Sequence, residues 1–166
     1  MQVLTKELLA FQELRLGSPS ASLSPESLEL QLFGYITLVK DGRSLGRLHA
    51  VNYWKGGTTH GKFNGVRIHP ASNRSKEPQY ARLLLVFNAT LSDGKMHELA
   101  LVRHHTHRSV SKTIAGVQCP EMYLEEAGIS VIFVTDIVDS WALLPDFRPG
   151  FAARDSNHFV AGNYLL

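Results

Sequence analysis

Apolar positions recur at helical spacing over residues 3–16, where Val3, Leu4, Leu8, Leu9, Phe11, Leu14 and Leu16 lie among charged and amide side chains. This spacing predicts a short amphipathic helix, ended by Gly17 and Pro19. Residues 17–27 are nearly all small and polar and read as a linker or loop. Within it, Ser24 can cap a helical turn with Pro25 at its first position, a turn that would carry Leu28, Leu30 and Leu32. From Phe33 onward the pattern changes to short runs of β-branched, aromatic and aliphatic residues separated by Gly, Asp and Asn. These runs predict strands at 34–40, 46–54, 64–70, 81–91, 97–105, 122–126, 130–138, 141–147 and 157–165. The pairs Asp41-Gly42 and Asp93-Gly94 mark hairpin turns. Only residues 134–140 fit a helical turn equally well.

Evenly spaced short strands joined by tight turns predict a mainly β fold. The expected form is a partly open antiparallel β-barrel of seven to nine strands with a short N-terminal helix. Residues 1–32 would hold the helix and linker, and residues 33–166 the barrel domain. Period-two alternation puts Leu83, Leu85, Phe87, Leu99, Leu101, Ile132 and Val134 on the core side, with Arg82 and Leu84 pointing away. An isolated helix of this length is marginal in water, so it must dock on the barrel or on a second copy, which would make a homodimer.

The chain has 166 residues and a single cysteine, Cys119, so no disulfide can form within it. That favours a reducing, intracellular setting. No run approaches the roughly 18 apolar residues of a membrane span, and the charged N-terminal segment lacks a signal-peptide core. No membrane association is therefore expected.

Charge distribution adds more. The net charge is only +2, yet residues 40–112 carry 13 Lys and Arg against 4 acids. A clustered positive field attracts polyanions. Lys55, Lys62, Arg67, Arg74 and Lys76 fall in or beside expected loops at 55–63 and 70–79, with Tyr53, Trp54, Phe63 and Tyr80 interleaved. Arg103 and Arg108 would join them from the end of a neighbouring strand. Cations beside aromatics suit nucleic acid, because phosphates meet charge and bases meet rings. His104, His105 and His107 would add charge below about pH 6.5.

Other chemistry is less well supported. Gly56, Gly61 and Lys62 match part of a phosphate-binding loop, but Phe63 stands where a hydroxyl must hold Mg²⁺, and an extended run follows instead of a helix. The segment therefore reads as a Gly-rich loop. His105 and His107 share one side of a strand and are the weak candidates for a metal, with a third ligand needed from elsewhere. Cys119 lies in an expected loop and reads as a structural thiol. Asp136, Asp139, Asp146 and Asp155 could pair for acid–base work only if folding brought them together.

Several short motifs carry a family resemblance over residues 55–165. They are Thr59-His-Gly-Lys62, Tyr80-Ala-Arg-Leu-Leu-Leu-Val-Phe87, Asp93-Gly94, Leu99-Ala-Leu-Val102, Ile129-Ser-Val-Ile132 and Leu144-Pro-Asp-Phe147. This order resembles a β module of fungal transposon proteins of the Kyakuja-Dileera-Zisupton or CACTA-like type. More distantly it is similar to bromo-adjacent homology domains of chromatin proteins, with Pro120-Glu-Met-Tyr-Leu124 before a final strand pair. Glu125 stands where that family has Ser, and no methyl-lysine cage maps onto this chain. The resemblance implies a DNA-binding or chromatin context and a nuclear location.

The expected function is a non-catalytic module that contacts nucleic acid, another polyanion or a chromatin protein, with no cofactor. One alternative is a protein–protein interaction module of the same fold. Another is a metal-dependent enzyme that uses the histidines.

Overall fold

A computed structural model describes residues 2–17, 29–40, 42–55, 58–63, 65–69, 79–114, 117–145 and 158–162. Side chains are described within residues 2–17, 29–50, 65–69, 79–105 and 128–140, apart from residues 40, 41 and 45. The chain opens with helix α1, Gln2–Phe11, which passes into one wider, π-helical turn at Gln12–Leu16 and stops at a left-handed Gly17. Ten strands follow: β1 Leu30–Phe33, β2 Tyr35–Lys40, β3 Arg43–Lys55, β4 Thr58–Phe63, β5 Gly65–Ile68, β6 Gln79–Thr90, β7 Met96–Ile114, β8 Val117–Phe133, β9 Ile137–Pro145 and β10 His158–Gly162. The protein is therefore mainly β, and the paired strands run antiparallel throughout. No described helix is long and apolar enough to cross a membrane.

Strands β2, β3 and β4 make a three-stranded sheet, and the other seven form a larger one. Strand β6 organises the larger sheet. One edge pairs with β7 from Tyr80 to Thr90. The other edge pairs with β5 at residues 79–82 and with β1 at residues 86–89. Strand β9 then follows β5, β10 follows β9, and β8 pairs with both β10 and β7. The β6–β7 hairpin turns at Gly94, whose φ of 72° a side chain would strain. Asp93 supports the turn by accepting the Lys95 backbone N–H at 3.0 Å and lying 2.9 Å from His97 Nε2.

The hydrophobic core has two parts, one on each face of the β6–β7 hairpin. Ala81, Leu83, Val86, Ala100, Val102 and Ile132 meet Leu48 and Ala50 of β3 and Val66 and Ile68 of β5. On the opposite face Phe87, Ala89, Leu91, Leu99 and Val131 meet Leu4, Leu8 and Phe11 of α1. Complete burial of a leucine such as Leu8 stabilises by about 1.5–3 kcal/mol. Phe11 also meets the Phe133 ring edge-on at 4.8 Å between centroids. Arg15 Nη2 donates to both Asp136 carboxylate oxygens, at 3.2 and 2.9 Å, and its guanidinium lies 5.3 Å from the centre of the Phe133 ring. The helix thus docks within its own chain.

Several expectations need correction. The seven predicted core residues do not share a face: Leu84 is an extra residue in β6, and Ile132 pairs with Ala100, away from Leu99 and Leu101. The register passes from Leu83 opposite Val102 to Leu85 opposite Leu101. The bulge reverses the alternation, so Leu83 and Val86 share one core while Phe87 joins the other. Leu30 and Leu32 belong to strand β1 and not to a helical turn, since the free edge of β6 offers ladder partners there. The Gly-rich segment is strand from Thr58 to Phe63, paired along β3. Cys119 also lies in a strand, opposite Lys112. The ambiguous segment splits: Val134–Asp136 is a 3₁₀ turn and Ile137 begins β9.

Gln12 is fully buried, and neither amide atom has a hydrogen-bond partner among the described residues. An unsatisfied buried amide is costly, so Gln12→Met, which keeps the shape, should raise unfolding stability by about 1–3 kcal/mol in a urea titration. An unchanged or lower midpoint would contradict this accounting.

Asp93 gives a prediction in pH. Its carboxyl lies below its ordinary value of 3.8, chiefly because the Lys95 backbone N–H donates to it and secondarily because His97 is near. A depressed folded-state pKa contributes stability that is present above the unfolded value and lost as pH falls through the folded one. The melting-temperature gap between wild type and Asp93→Ala should therefore close as pH falls below 3.8. A gap that stayed constant from about pH 6 to about pH 2 would contradict the assignment.

Candidate polyanion site

Strands β5, β6 and β7 place three arginines on one face of the large sheet. Directly opposed residues of an antiparallel ladder share a face, as do residues two apart along a strand. Arg82 of β6 is opposite Arg103 of β7, and Gly65 of β5 flanks Arg82 on its other side. One row along, Tyr80 lies between Arg67 of β5 and His105 of β7. Asp139 of β9 completes that row opposite Arg67. The intervening residues Val66, Ala81 and Leu83 enter the core on the other face, which sets the cations on the face where Tyr80 and His105 are themselves buried.

The electrostatics within these rows differ. Arg67 Nη2 lies 3.5 Å from Asp139 Oδ2, so that cation has a carboxylate. Arg82 faces Arg103, and like charges directly opposed on a ladder are destabilising. Burial, then the nearby Arg103, hold the Arg82 guanidinium below its ordinary pKa. Among the described residues, Arg103 has no ion-pair partner, and its buried Nε makes no hydrogen bond. Burial also pushes the Tyr80 phenol up, partly offset by Arg67. Two half-buried guanidinia that oppose each other can both donate to one phosphate or carboxylate group.

The seven basic residues expected from sequence fall into different places. Arg67 and Arg103 meet on this sheet face. Lys55 and Lys62 lie on the β3–β4 hairpin, with Lys55 opposite Thr58 and Lys62 opposite Val51; only their backbone is described. Arg108 lies in β7, also as backbone alone. Arg74 and Lys76 lie outside the described residues. Lys62 belongs to a paired strand and not to the expected loop. Arg82, which alternation sets away from the core, is not among the basic residues expected from sequence, and only the register shows that it confronts Arg103.

The histidines have separate environments. His105 is 6% exposed, which corrects the expectation that it supplies surface charge. The side chain of His107 lies outside the described set. Among the described residues no three His, Cys, Asp or Glu side chains gather as metal ligands. His104, on the other face, has Nε2 2.7 Å from Ser130 Oγ. That pair lines a cleft of about 380 Å³ between the end of α1 and the large sheet. A serine beside an imidazole is one half of a nucleophilic arrangement. The cleft's Asp136, however, is engaged by Arg15 and by the Phe133 backbone N–H, which donates to it at 3.3 Å. Asp136 and Asp139 thus serve separate arginines and do not form an acid–base pair. Asp146 and Asp155 lie outside the described residues.

No family model matches the chain, and no curated protein or solved structure matches it either.

The opposed arginines make a measurable prediction. Arg103→Met keeps much of the apolar stem and removes one of two like charges, so in dilute buffer it should stabilise the fold by roughly 0.2–1 kcal/mol. Added inorganic phosphate should raise the melting temperature of wild type more than that of the variant. Equal phosphate response in the two proteins would remove the pair as an anion site.

Proposed function

We propose that this chain is a non-catalytic binding module that contacts nucleic acid or another polyanion. The observation that carries this reading is the opposition of Arg82 and Arg103, with Arg67 one row away on the same face. A phosphate backbone laid across the pair can accept from both guanidinia, and charge-assisted bonds of that kind are the strong ones. The basic composition of residues 40–112 supplies the wider field. Arg67 and Arg103 are the described members of the proposed surface; Lys55 and Lys62 belong to the β3–β4 hairpin of the small sheet, and Arg74, Lys76 and Arg108 are proposed as phosphate contacts on composition alone. The transposon or chromatin context, and with it a nuclear location, rests on the motif resemblance in residues 55–165.

The finer architecture we propose is a partly open barrel. The pairings pass from β6 through β5, β9, β10 and β8 to β7, which pairs with β6 again. The opening lies along residues 128–133 of β8, whose described pairing is with β7 alone. A protein–protein role is the second reading. Leu14 is 83% exposed and Val3 53% exposed on the otherwise docked helix, which leaves apolar surface for a second copy.

Affinity for a random DNA duplex, measured against ionic strength, tests the first reading. Log K should fall with log salt, with a slope of about 0.9 for each phosphate that the protein neutralises. Arg67→Glu with Arg103→Glu should weaken binding and flatten the slope by roughly 1.8, the value of two phosphates. Binding that ignores both salt and these substitutions would leave the arginines without this role.

A further inference from the structure

The three-stranded sheet has an inner face committed to the core and an outer face that is not. Ile36 and Leu38 of β2 and Leu48 and Ala50 of β3 pack inward. Alternation then assigns Tyr35 and Thr37 of β2, and Arg47 and His49 of β3, to the outer face. Register agrees, with Tyr35 opposite His49 and Thr37 opposite Arg47. Tyr35 is 48% exposed, unusual for a large aromatic on a strand whose neighbours Ile36 and Leu38 enter a core. The Arg47 guanidinium lies 4.9 Å from the centre of its ring, and the His49 ring lies 6.0 Å from it at a tilt of 47°.

The same face positions continue along the hairpin. Val51, Tyr53 and Lys55 follow His49 at two-residue steps on β3, and the register sets Lys62, His60 and Thr58 of β4 opposite them. One sheet face thus has positions for two tyrosines, two histidines and three strong cations. No acidic residue occupies any of the positions named.

We propose that the outer face of β2, β3 and β4 is a stacking platform for single-stranded nucleic acid, with Tyr35 holding a base and Arg47 a flanking phosphate or base plane. A paired duplex keeps its bases stacked on each other and cannot give one to Tyr35, whereas a single strand can splay its bases onto exposed rings. Charge complementarity favours the same ligand, since Arg47 lies on this face and residues 55 and 62, both lysine, hold face positions farther along the hairpin. This inference names a second surface and the strandedness of the ligand, and it rests on the reading of the chain as a polyanion-binding module.

The test is fluorescence anisotropy on the full chain with three labelled probes: an oligothymidylate of about twelve nucleotides, a duplex of equal length, and a heparin oligosaccharide. Tyr35→Ala should weaken oligothymidylate binding roughly 5- to 150-fold, the value of one base stack, and leave heparin binding unchanged. Tyr35→Phe should restore it, because the ring and not the hydroxyl supplies the stack. Arg47→Ala should lower affinity for oligothymidylate and heparin alike and reduce the single-strand salt slope by about 0.7. Circular dichroism of each variant confirms the fold.

Tyr35→Ala binding oligothymidylate as wild type does would overturn the platform. So would an equal loss on heparin, or a Tyr35→Ala variant that loses as much affinity for the duplex as for the single strand. Those results leave salt-dependent polyanion binding standing. Wild-type protein that binds none of the three probes would overturn the polyanion reading itself.

Discussion

Burial of the β6–β7 hairpin on both faces is the constraint from which the rest of the structure follows. A strand pair covered on one side alone would alternate apolar and polar residues. Here Leu83 and Phe87 are both fully buried, yet they enter different cores. Two separate layers must therefore be recruited, and the chain supplies a three-stranded sheet for one and a helix for the other. The bulge at Leu84 lets a single strand serve both, because it shifts the alternation midway.

Docking of the helix is more than a lid on exposed leucines. Asp136 accepts from Arg15 through both carboxylate oxygens, and its backbone carbonyl accepts the His69 N–H at 2.9 Å. One residue thus ties the helical segment, the end of β5 and the 3₁₀ turn together. The ion pair is only partly buried, at 26% and 19% side-chain exposure, so solvent screens it. Its role is to fix where the helix ends, while Leu4, Leu8 and Phe11 supply the apolar burial. The wider turn at Gln12–Leu16 leaves the buried Gln12 amide without a partner among the described residues, a local cost within an otherwise apolar interface.

The same two-sided burial sets where charge can go. Core positions occupy both faces of the hairpin near its turn, at Leu99, Ala100 and Val102. Toward the other end of the face that carries Phe87 and Leu99, Arg82, Arg103 and Arg67 take its positions beside the buried Tyr80 and His105. The outer face of the small sheet has no covering layer of described residues, and Tyr35 and Arg47 lie there.

Much of the local structure was legible in the chain. The period near 3.6 of residues 3–16 specified a helix, and period-two runs with Asp-Gly punctuation specified strands and their hairpins, because both signals act over a few neighbouring residues. The excess of cations in residues 40–112 was equally plain. Tertiary structure alone decided which faces are core, since the one-residue bulge at Leu84 reverses every later position of β6 and leaves no mark in the composition. It also decided the arginine geometry: Arg82 and Arg103 lie twenty-one residues apart, and only the ladder register brings them face to face. Leu30 and Leu32 became a strand because β6 had an open edge at residues 86–89, a partner that no local pattern can announce. Local periodicity is written in the chain, but pairing between distant segments depends on which edges remain free once the first strands have assembled.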